Sequence, residues 1–127
     1  MEYLDKMEKI NNKIKEQISR STQYFDRNGN RLQLMDWAKK CEDDEYRKVK
    51  QDKIGKYFIS TIWFGLNMNF FSNQEPLIFE TMIFLDDDDQ LDEFYLYQEE
   101  YSTEQQALEG HERAVKLVRD GNGKTNL

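Results

Sequence analysis

The fold is decided by two apolar runs, Tyr57-Phe-Ile-Ser-Thr-Ile-Trp-Phe-Gly-Leu66 and Leu77-Ile-Phe-Glu-Thr-Met-Ile-Phe-Leu85. Each run is too short to span a bilayer. Both are rich in β-branched and aromatic residues, which favour strands over helices. We therefore expect them to form the two central strands of one antiparallel sheet, with the other segments packed on this pair or placed at its edges.

The composition predicts a single acidic domain. The chain has 127 residues, enough for one hydrophobic core, and a formal net charge of -7. Eight Phe, seven Tyr and two Trp concentrate much of the burial in few side chains. Because phosphate backbones are bound by clustered Lys and Arg, direct binding of nucleic acid is not expected, whereas a basic protein partner suits the charge.

Several features predict a cytoplasmic protein without a cofactor. Cys41 is the only cysteine, so the chain forms no internal disulfide. The N-terminal residues Met-Glu-Tyr-Leu-Asp-Lys lack the basic and apolar regions of a signal peptide, and no membrane segment is expected. One histidine and one cysteine are too few for a zinc site of the usual ligands, so no metal is predicted.

Residues 1–21 predict an amphipathic helix with a narrow apolar stripe. The stripe consists of Tyr3, Met7, Ile10, Ile14 and Ile18, at steps of three and four residues. A narrow stripe suits one neighbour, and two remain open: the body of the same chain, or the same helix of a second copy in a homodimer.

The middle of the chain predicts a hairpin, a helix and an edge strand. Asn28-Gly29 tolerates the positive φ angles of a type I′ turn between two short strands. Residues 34–41 place Trp37 and Cys41 on one helical face, so Cys41 is expected in the core. Residues 45–51 alternate in the manner of a charged edge strand.

The C-terminal part predicts a strand over residues 94–101 and a helix that follows it. Residues 102–106 supply capping residues, and Gly121 can end the helix after Arg119. The expected buried face is Ala107, Leu108, His111, Ala114, Val115 and Val118. The whole is an α+β core over residues 22–119: an antiparallel meander of three to five strands with N-terminal, short middle and C-terminal helices, followed by a disordered tail at residues 120–127.

Three segments carry a resemblance to known proteins: Ser60-Thr-Ile-Trp-Phe-Gly-Leu66, Pro76-Leu-Ile-Phe-Glu-Thr-Met-Ile-Phe84 and Tyr101-Ser-Thr-Glu-Gln-Gln-Ala-Leu-Glu-Gly-His111. Over residues 24–119 the chain resembles a widespread family of small uncharacterised proteins from phages and prophages. Asn67 and Met68 stand where the family pattern has Asp-His. The resemblance implies a phage origin and a shared fold, and small acidic phage proteins are often inhibitors of host defence, which is an analogy.

One candidate site combines Glu80 with His111. Period two places the Glu80 carboxylate among apolar side chains, where a charge must be paired, neutralised or directed into a pocket. A hydrogen-bonded Glu80 and His111, with Ser60 and Thr61 nearby, would form a small-molecule or nucleotide pocket able to activate water in a weak hydrolase. The alternative is that Glu80 is solvated or paired with a neighbouring Lys or Arg, and that His111 is a satisfied core residue.

The other candidate site is an acidic, tyrosine-rich surface. The run Asp86 to Asp89 lacks the glycine and terminal glutamate of a calcium loop, so it is interpreted as a solvated connection rather than a metal site. Such a surface can imitate the charge of a nucleic acid and occupy a basic channel. The predicted partner-binding residues are Asp86, Asp87, Asp88, Asp89, Asp92, Glu93, Tyr95, Tyr97, Glu99 and Glu100.

The leading functional prediction is a non-enzymatic inhibitor of host defence encoded by a phage, comparable to an anti-CRISPR protein. It would act in the host cytoplasm by docking its acidic surface on a basic host protein, for example a nucleic-acid-binding defence effector. The pocket of Glu80 and His111 is the alternative.

Overall fold

The computed structural model describes residues 2–21, 23–67, 75–87 and 90–121, with the backbone alone for residues 15–21, 86, 87 and 90–96. The described elements are α1 (Glu2–Ser21), β1 (Gln23–Phe25), β2 (Arg31–Leu32), α2 (Leu34–Cys41), α3 (Asp44–Arg47), β3 (Lys48–Ile54), β4 (Tyr57–Trp63), β5 (Leu66–Asn67), β6 (Phe79–Asp87), β7 (Gln90–Tyr101) and α4 (Glu104–Gly121). This order confirms the predicted α+β class.

The two apolar runs form the centre of a four-stranded antiparallel sheet in the order β3-β4-β6-β7. β4 and β6 pair along their whole common length, from Tyr57 opposite Leu85 to Trp63 opposite Phe79. The register places Thr61 directly opposite Thr81. Each strand pairs with the next long strand along the chain, so these four strands form the predicted meander.

A smaller sheet in the order β2-β1-β5 contains the predicted hairpin, but its turn differs from the prediction. The connection spans five residues, and the Asp26 carboxylate closes it by accepting hydrogen bonds from the backbone N–H groups of Asn28 and Asn30, at 2.9 and 2.8 Å. Gly29 has a φ of 85°. An aspartate that bonds the backbone of following residues therefore replaces the expected two-residue type I′ turn.

Two indole groups join the smaller sheet and α2 to the main sheet. Trp63 donates its Nε1–H to the carbonyl of Phe25 at 3.0 Å, and Trp37 donates its Nε1–H to the carbonyl of Phe64 at 2.9 Å. Cys41, at the end of α2, is half-buried against a cluster that contains Trp63 and Phe79, and burial raises the pKa of its thiol. α2 is thus confirmed, with Cys41 at the margin of the core.

The predicted edge strand over residues 45–51 begins later, because a turn of helix precedes it. The Asp43 side chain accepts hydrogen bonds from the backbone N–H groups of Glu45 and Tyr46 and so caps α3. β3 then starts at Lys48. The cap at Asp43 therefore favours a helical turn over residues 44–47, although the alternation of residues 45–51 predicted a strand there.

α4 covers one face of the main sheet and begins with the predicted capping box. Thr103 Oγ1 accepts from the N–H of Gln106, and Gln106 Oε1 accepts from the N–H of Thr103. Leu108, which was expected to be buried, is 40% exposed, whereas Gly110 is buried. Residue 108 lies about 100° around the helix from residue 107, which turns its side chain away from the sheet.

Two apolar clusters fill the space between α4 and the sheet. The first contains Ile59, Ile83, Ala114, Val115 and Val118. The second contains Trp63, Ile78, Phe79, Tyr101 and Ala107. The buried polar side chains of Thr61, Thr81 and His111 lie between the two clusters.

The apolar stripe of α1 is exposed in its described part. Tyr3 is 71% exposed, and Ile10 and Ile14 are each 50% exposed. These side chains are therefore largely uncovered in the described part of the chain, and the alternative in which α1 docks on the body of its own chain is not seen there. Within the described residues, no helix is long and apolar enough to cross a membrane.

Candidate functional site

A chain of hydrogen bonds runs under α4, between the two apolar clusters. His111 is fully buried, and its Nδ1 lies 2.7 Å from Thr61 Oγ1 on β4. Its Nε2 lies 2.7 Å from Asp52 Oδ2 on β3. Thr61 Oγ1 in turn lies 2.5 Å from Thr81 Oγ1 on β6. One imidazole thus ties α4 directly to β3 and β4, and through Thr61 to β6.

Strand periodicity explains why these groups meet. Thr61 lies between Ile59 and Trp63 in the alternation of β4, so its side chain points towards α4 as theirs do. Thr81 is its cross-strand partner, and Asp52 is the partner of Ile59. A buried threonine hydroxyl needs a hydrogen-bond partner, and here each hydroxyl supplies one for the other.

The chain of hydrogen bonds continues to the opposite edge of the sheet through Tyr101. The Tyr101 side chain hydrogen-bonds Thr81, and its hydroxyl donates to Glu99 Oε2 at 3.2 Å. Tyr97 donates to the same oxygen at 2.6 Å, and Arg113 Nη2 donates to Glu99 Oε1 at 3.0 Å. The chain of hydrogen bonds therefore ends on β7, at the Glu99 carboxylate.

The surroundings of Glu99 favour its charged form. Burial would raise the pKa of this carboxyl, but the hydrogen bonds from Tyr97, Arg113 and Tyr101 and the charge of Arg113 outweigh it, so the pKa lies below its ordinary value. Burial, the hydrogen bond to Glu99 and the charge of Glu99 raise the pKa of Tyr97. Tyr97 therefore remains a neutral donor and Glu99 an ionised acceptor at neutral pH.

Gly110 allows the Tyr101 ring to lie against α4. A Cβ atom at Gly110 would stand 2.0 Å from the Tyr101 hydroxyl oxygen and 2.2 Å from the adjoining ring carbon. The helix and the strand can approach this closely only without a side chain at that position.

An open groove of about 370 Å³ lies beside the Glu99 end of these hydrogen bonds, between β7 and α4. Its lining includes Glu99 and Glu109, one guanidinium residue, Arg113, and Glu100 at the edge of β7, whose side chain shares the other face of the sheet with Glu80. The remaining lining residues are Leu77, Tyr101, Ser102 and Gln106. The groove is therefore polar and has an excess of negative charge.

The structure does not bring Glu80 and His111 together. Glu80 lies opposite Ile62 and Glu100 on the face that α4 leaves open, and its Oε2 accepts a hydrogen bond from Gln98 Nε2 at 3.1 Å. Ser60 is on that face too, where Gln51 Nε2 donates to its hydroxyl at 3.1 Å. The sheet itself separates the two halves of the predicted pocket, because adjacent residues of a strand point to opposite faces.

Asp52, His111 and Thr61 have the order of a carboxylate, imidazole and hydroxyl triad, but the hydroxyl is enclosed. Thr61 and Thr81 are both fully buried. A nucleophile must touch its substrate, so this arrangement has the properties of a satisfied core network rather than of a catalytic triad. Within the described residues, no group of three or more His, Cys, Asp or Glu side chains could hold a metal ion.

The predicted acidic surface falls only partly within the described residues. Asp88 and Asp89 lie outside them, and Asp86, Asp87, Asp92, Glu93 and Tyr95 are described by their backbone alone. The register, with Asp86 opposite Leu91 and Asp87 opposite Gln90, places these residues around the β6–β7 hairpin. Of the described side chains, Tyr97 and Glu99 belong to the α4 side and Glu99 and Glu100 line the groove.

Sequence reasoning missed Asp52, Thr81, Tyr101, Gly110 and Arg113. One signal for two of the groups was available: Thr61 and Thr81 are polar residues in phase with the buried apolar residues of their strands. Thr61, Thr81, Tyr101, Gly110 and His111 all lie in the three segments that carry the resemblance to phage proteins.

Comparison of the chain with protein-family models, with curated proteins and with solved structures gave no match.

Proposed function

We propose that this chain is a non-catalytic binding protein that occupies a basic surface of another protein. The contact surface is the acidic groove, defined as the groove between β7 and α4 with Glu99, Glu100, Glu109 and Arg113, together with the adjoining tyrosine-rich strand β7. The observation that carries the proposal is an open groove whose lining residues include three glutamates and one arginine.

Charge supports this proposal at two scales. The whole chain has a net charge of -7, which attracts a basic partner over a distance set by the ionic strength. Close to the surface, Glu100 and Glu109 are exposed carboxylates that can meet Lys or Arg side chains of the partner. Such complementary charges contribute mainly to the association rate and to specificity.

The wall of the groove is held in place before any partner binds. Glu99 receives hydrogen bonds from Tyr97, Tyr101 and Arg113, and the hydrogen-bonded chain behind Tyr101 reaches the core of the domain. A surface that is already ordered loses less conformational entropy on association than a flexible one. The role that we assign to this network is therefore support of the surface.

The same network is an argument against the alternative pocket. The imidazole of His111 and the hydroxyl of Thr61 are enclosed, and Glu80 is on the other side of the sheet. A substrate that enters the groove meets Glu99, Arg113 and Tyr101 instead. Binding without chemistry is therefore the function that this geometry supports best.

We also propose a biological setting. The resemblance to phage and prophage proteins, together with the acidity of the chain, supports a phage-encoded inhibitor of host defence of the anti-CRISPR kind. Its partner would be a basic host protein, such as a nucleic-acid-binding defence effector, in the host cytoplasm. Charge mimicry of a nucleic acid would let the acidic groove compete for the partner's basic channel.

The test is capture from bacterial lysate by the tagged full chain and by two charge-matched variants. Glu100→Lys with Glu109→Lys reverses two charges in the groove. Glu42→Lys with Glu75→Lys reverses two exposed charges that do not line it. We expect a partner that the control variant retains, that the groove variant loses, and that added salt weakens.

Equal capture by the groove variant and the control would refute the assignment of the surface. A second measurement separates the alternative function. If a panel of nucleotides stabilises the chain against heat and Glu80→Gln abolishes that effect, the small-molecule pocket is the better explanation, despite the distance from His111.

A further inference from the structure

The exposed stripe of α1 has the spacing of a coiled-coil seam. Tyr3, Met7, Ile10 and Ile14 follow one another at steps of four, three and four residues. Met7 and Ile14 then occupy the a positions of a heptad, and Tyr3 and Ile10 occupy the d positions. All four side chains are between 38% and 71% exposed, so none of them is used for packing within the described part of the chain.

A helix of this kind needs a partner. α1 has 20 residues, and most of its surface is polar. Most helix stability in proteins comes from packing of an apolar face rather than from intrinsic propensity. The open face of the main sheet is a poorer partner for α1 than another helix. A helix that packs on a sheet normally presents a wider apolar stripe than the a and d positions alone.

The charges beside the seam bear on the orientation of a second copy of the same helix. In this register the g positions of the described part are Lys6 and Lys13, and the e positions are Leu4 and Asn11. The carboxylates Glu2, Asp5 and Glu8 occupy outer positions. In a parallel pair each g residue faces an uncharged e residue, whereas an antiparallel pair would bring lysines together.

We propose that the chain forms a homodimer through a parallel, two-stranded coiled coil of residues 3–14 of α1, about 18 Å long. This assembly is separate from the acidic groove, because the groove lies between β7 and α4 and does not include α1. The dimer would therefore carry two acidic grooves.

Sedimentation velocity of the full chain over a dilution series tests the association. We expect a concentration-dependent mass that approaches twice the 15.4 kDa of one chain. Ile10→Lys places a charge in the seam and should raise the dissociation constant by at least about tenfold. Asn12→Lys adds the same charge at an outer position of the same helix and should leave the constant unchanged, so that a general charge effect is excluded.

Other outcomes would overturn the proposal. A monomer at all concentrations would do so, and so would a trimer. A dimer that Ile62→Lys disrupts and Ile10→Lys leaves intact would assign the interface to the open sheet face instead. Orientation is tested with Tyr3→Cys in a Cys41→Ser background, where oxidation should link two chains, and a dimer without that cross-link would contradict the parallel arrangement.

Discussion

Replacing Thr61 with valine tests whether the buried hydrogen-bonded chain stabilises the domain. Valine has nearly the shape of threonine, so the change removes a hydroxyl and creates little empty space. The variant deprives His111 Nδ1 of its partner at 2.7 Å and Thr81 of its partner at 2.5 Å. His111 remains fully buried and keeps only its bond to Asp52.

The expected cost follows from that burial. A buried polar group left without a partner lowers the free energy of unfolding by about 1–3 kcal/mol, which is more than the net contribution of an ordinary hydrogen bond. Thr81→Val should cost less, roughly 0.5–1.5 kcal/mol, because Thr61 retains His111 and Tyr101 retains Glu99. The double variant should cost about as much as Thr61→Val alone, because His111 Nδ1 lacks its partner in both.

A third variant separates polarity from packing. Thr61→Val and Thr81→Val combined with His111→Leu remove the whole set of enclosed polar groups under the middle of α4. Apolar replacement of both partners can be nearly neutral, so this triple variant should be more stable than Thr61→Val alone. Asp52 loses its partner in the triple variant, but its side chain is 40% exposed and remains solvated.

Urea unfolding gives the free energies, with fluorescence of the fully buried Trp63 as a reporter of the core. Ile83→Val, on the same buried face without a hydrogen bond, is the control for loss of packing, at about 0.5–1.5 kcal/mol. A loss below about 0.5 kcal/mol in Thr61→Val, the range of ordinary surface substitutions, would refute the reasoning, because His111 would then have no need of the Thr61 hydroxyl.

Two further predictions concern the β7 end of the network. Gly110→Ala should destabilise the fold by roughly 1–3 kcal/mol or more in the same assay, since the new Cβ would stand 2.0 Å from the Tyr101 hydroxyl, whereas Lys116→Ala on the exposed face should cost little. Glu99 has a pKa below its ordinary value of 4.5, so its contribution is present above that value and is lost as the pH falls through the lower folded pKa. Glu99→Gln should therefore lower stability at neutral pH and flatten the acid limb of the stability profile below pH 4.5, and an unchanged acid limb would contradict the assignment.

Local patterns were sufficient for the main elements. β4 and β6 follow from runs rich in β-branched and aromatic residues, and α4 follows from a capping box and a helical apolar face. These signals lie within a few residues of one another, so they do not depend on the rest of the chain. Local chemistry also produced the errors, since Asp26 and Asp43 bond nearby backbone groups that the pattern assigned to a tight turn and to a strand.

The candidate site needed the tertiary structure. The alternation of a strand places Glu80 and Thr81 on opposite faces, but the sequence alone does not say which of these faces a helix will cover. Packing of α4 decides this, because His111 then meets Thr61 and Asp52, and Glu80 is left on the open face with Gln98. The acidic groove likewise forms only where Arg113 of α4 reaches Glu99 of β7.

By itself the sequence determined an acidic α+β domain with an amphipathic N-terminal helix, since these properties depend on composition and local period. The partners of its one histidine depended on contacts between residues 50 or more positions apart in the chain, which only the folded structure brings together.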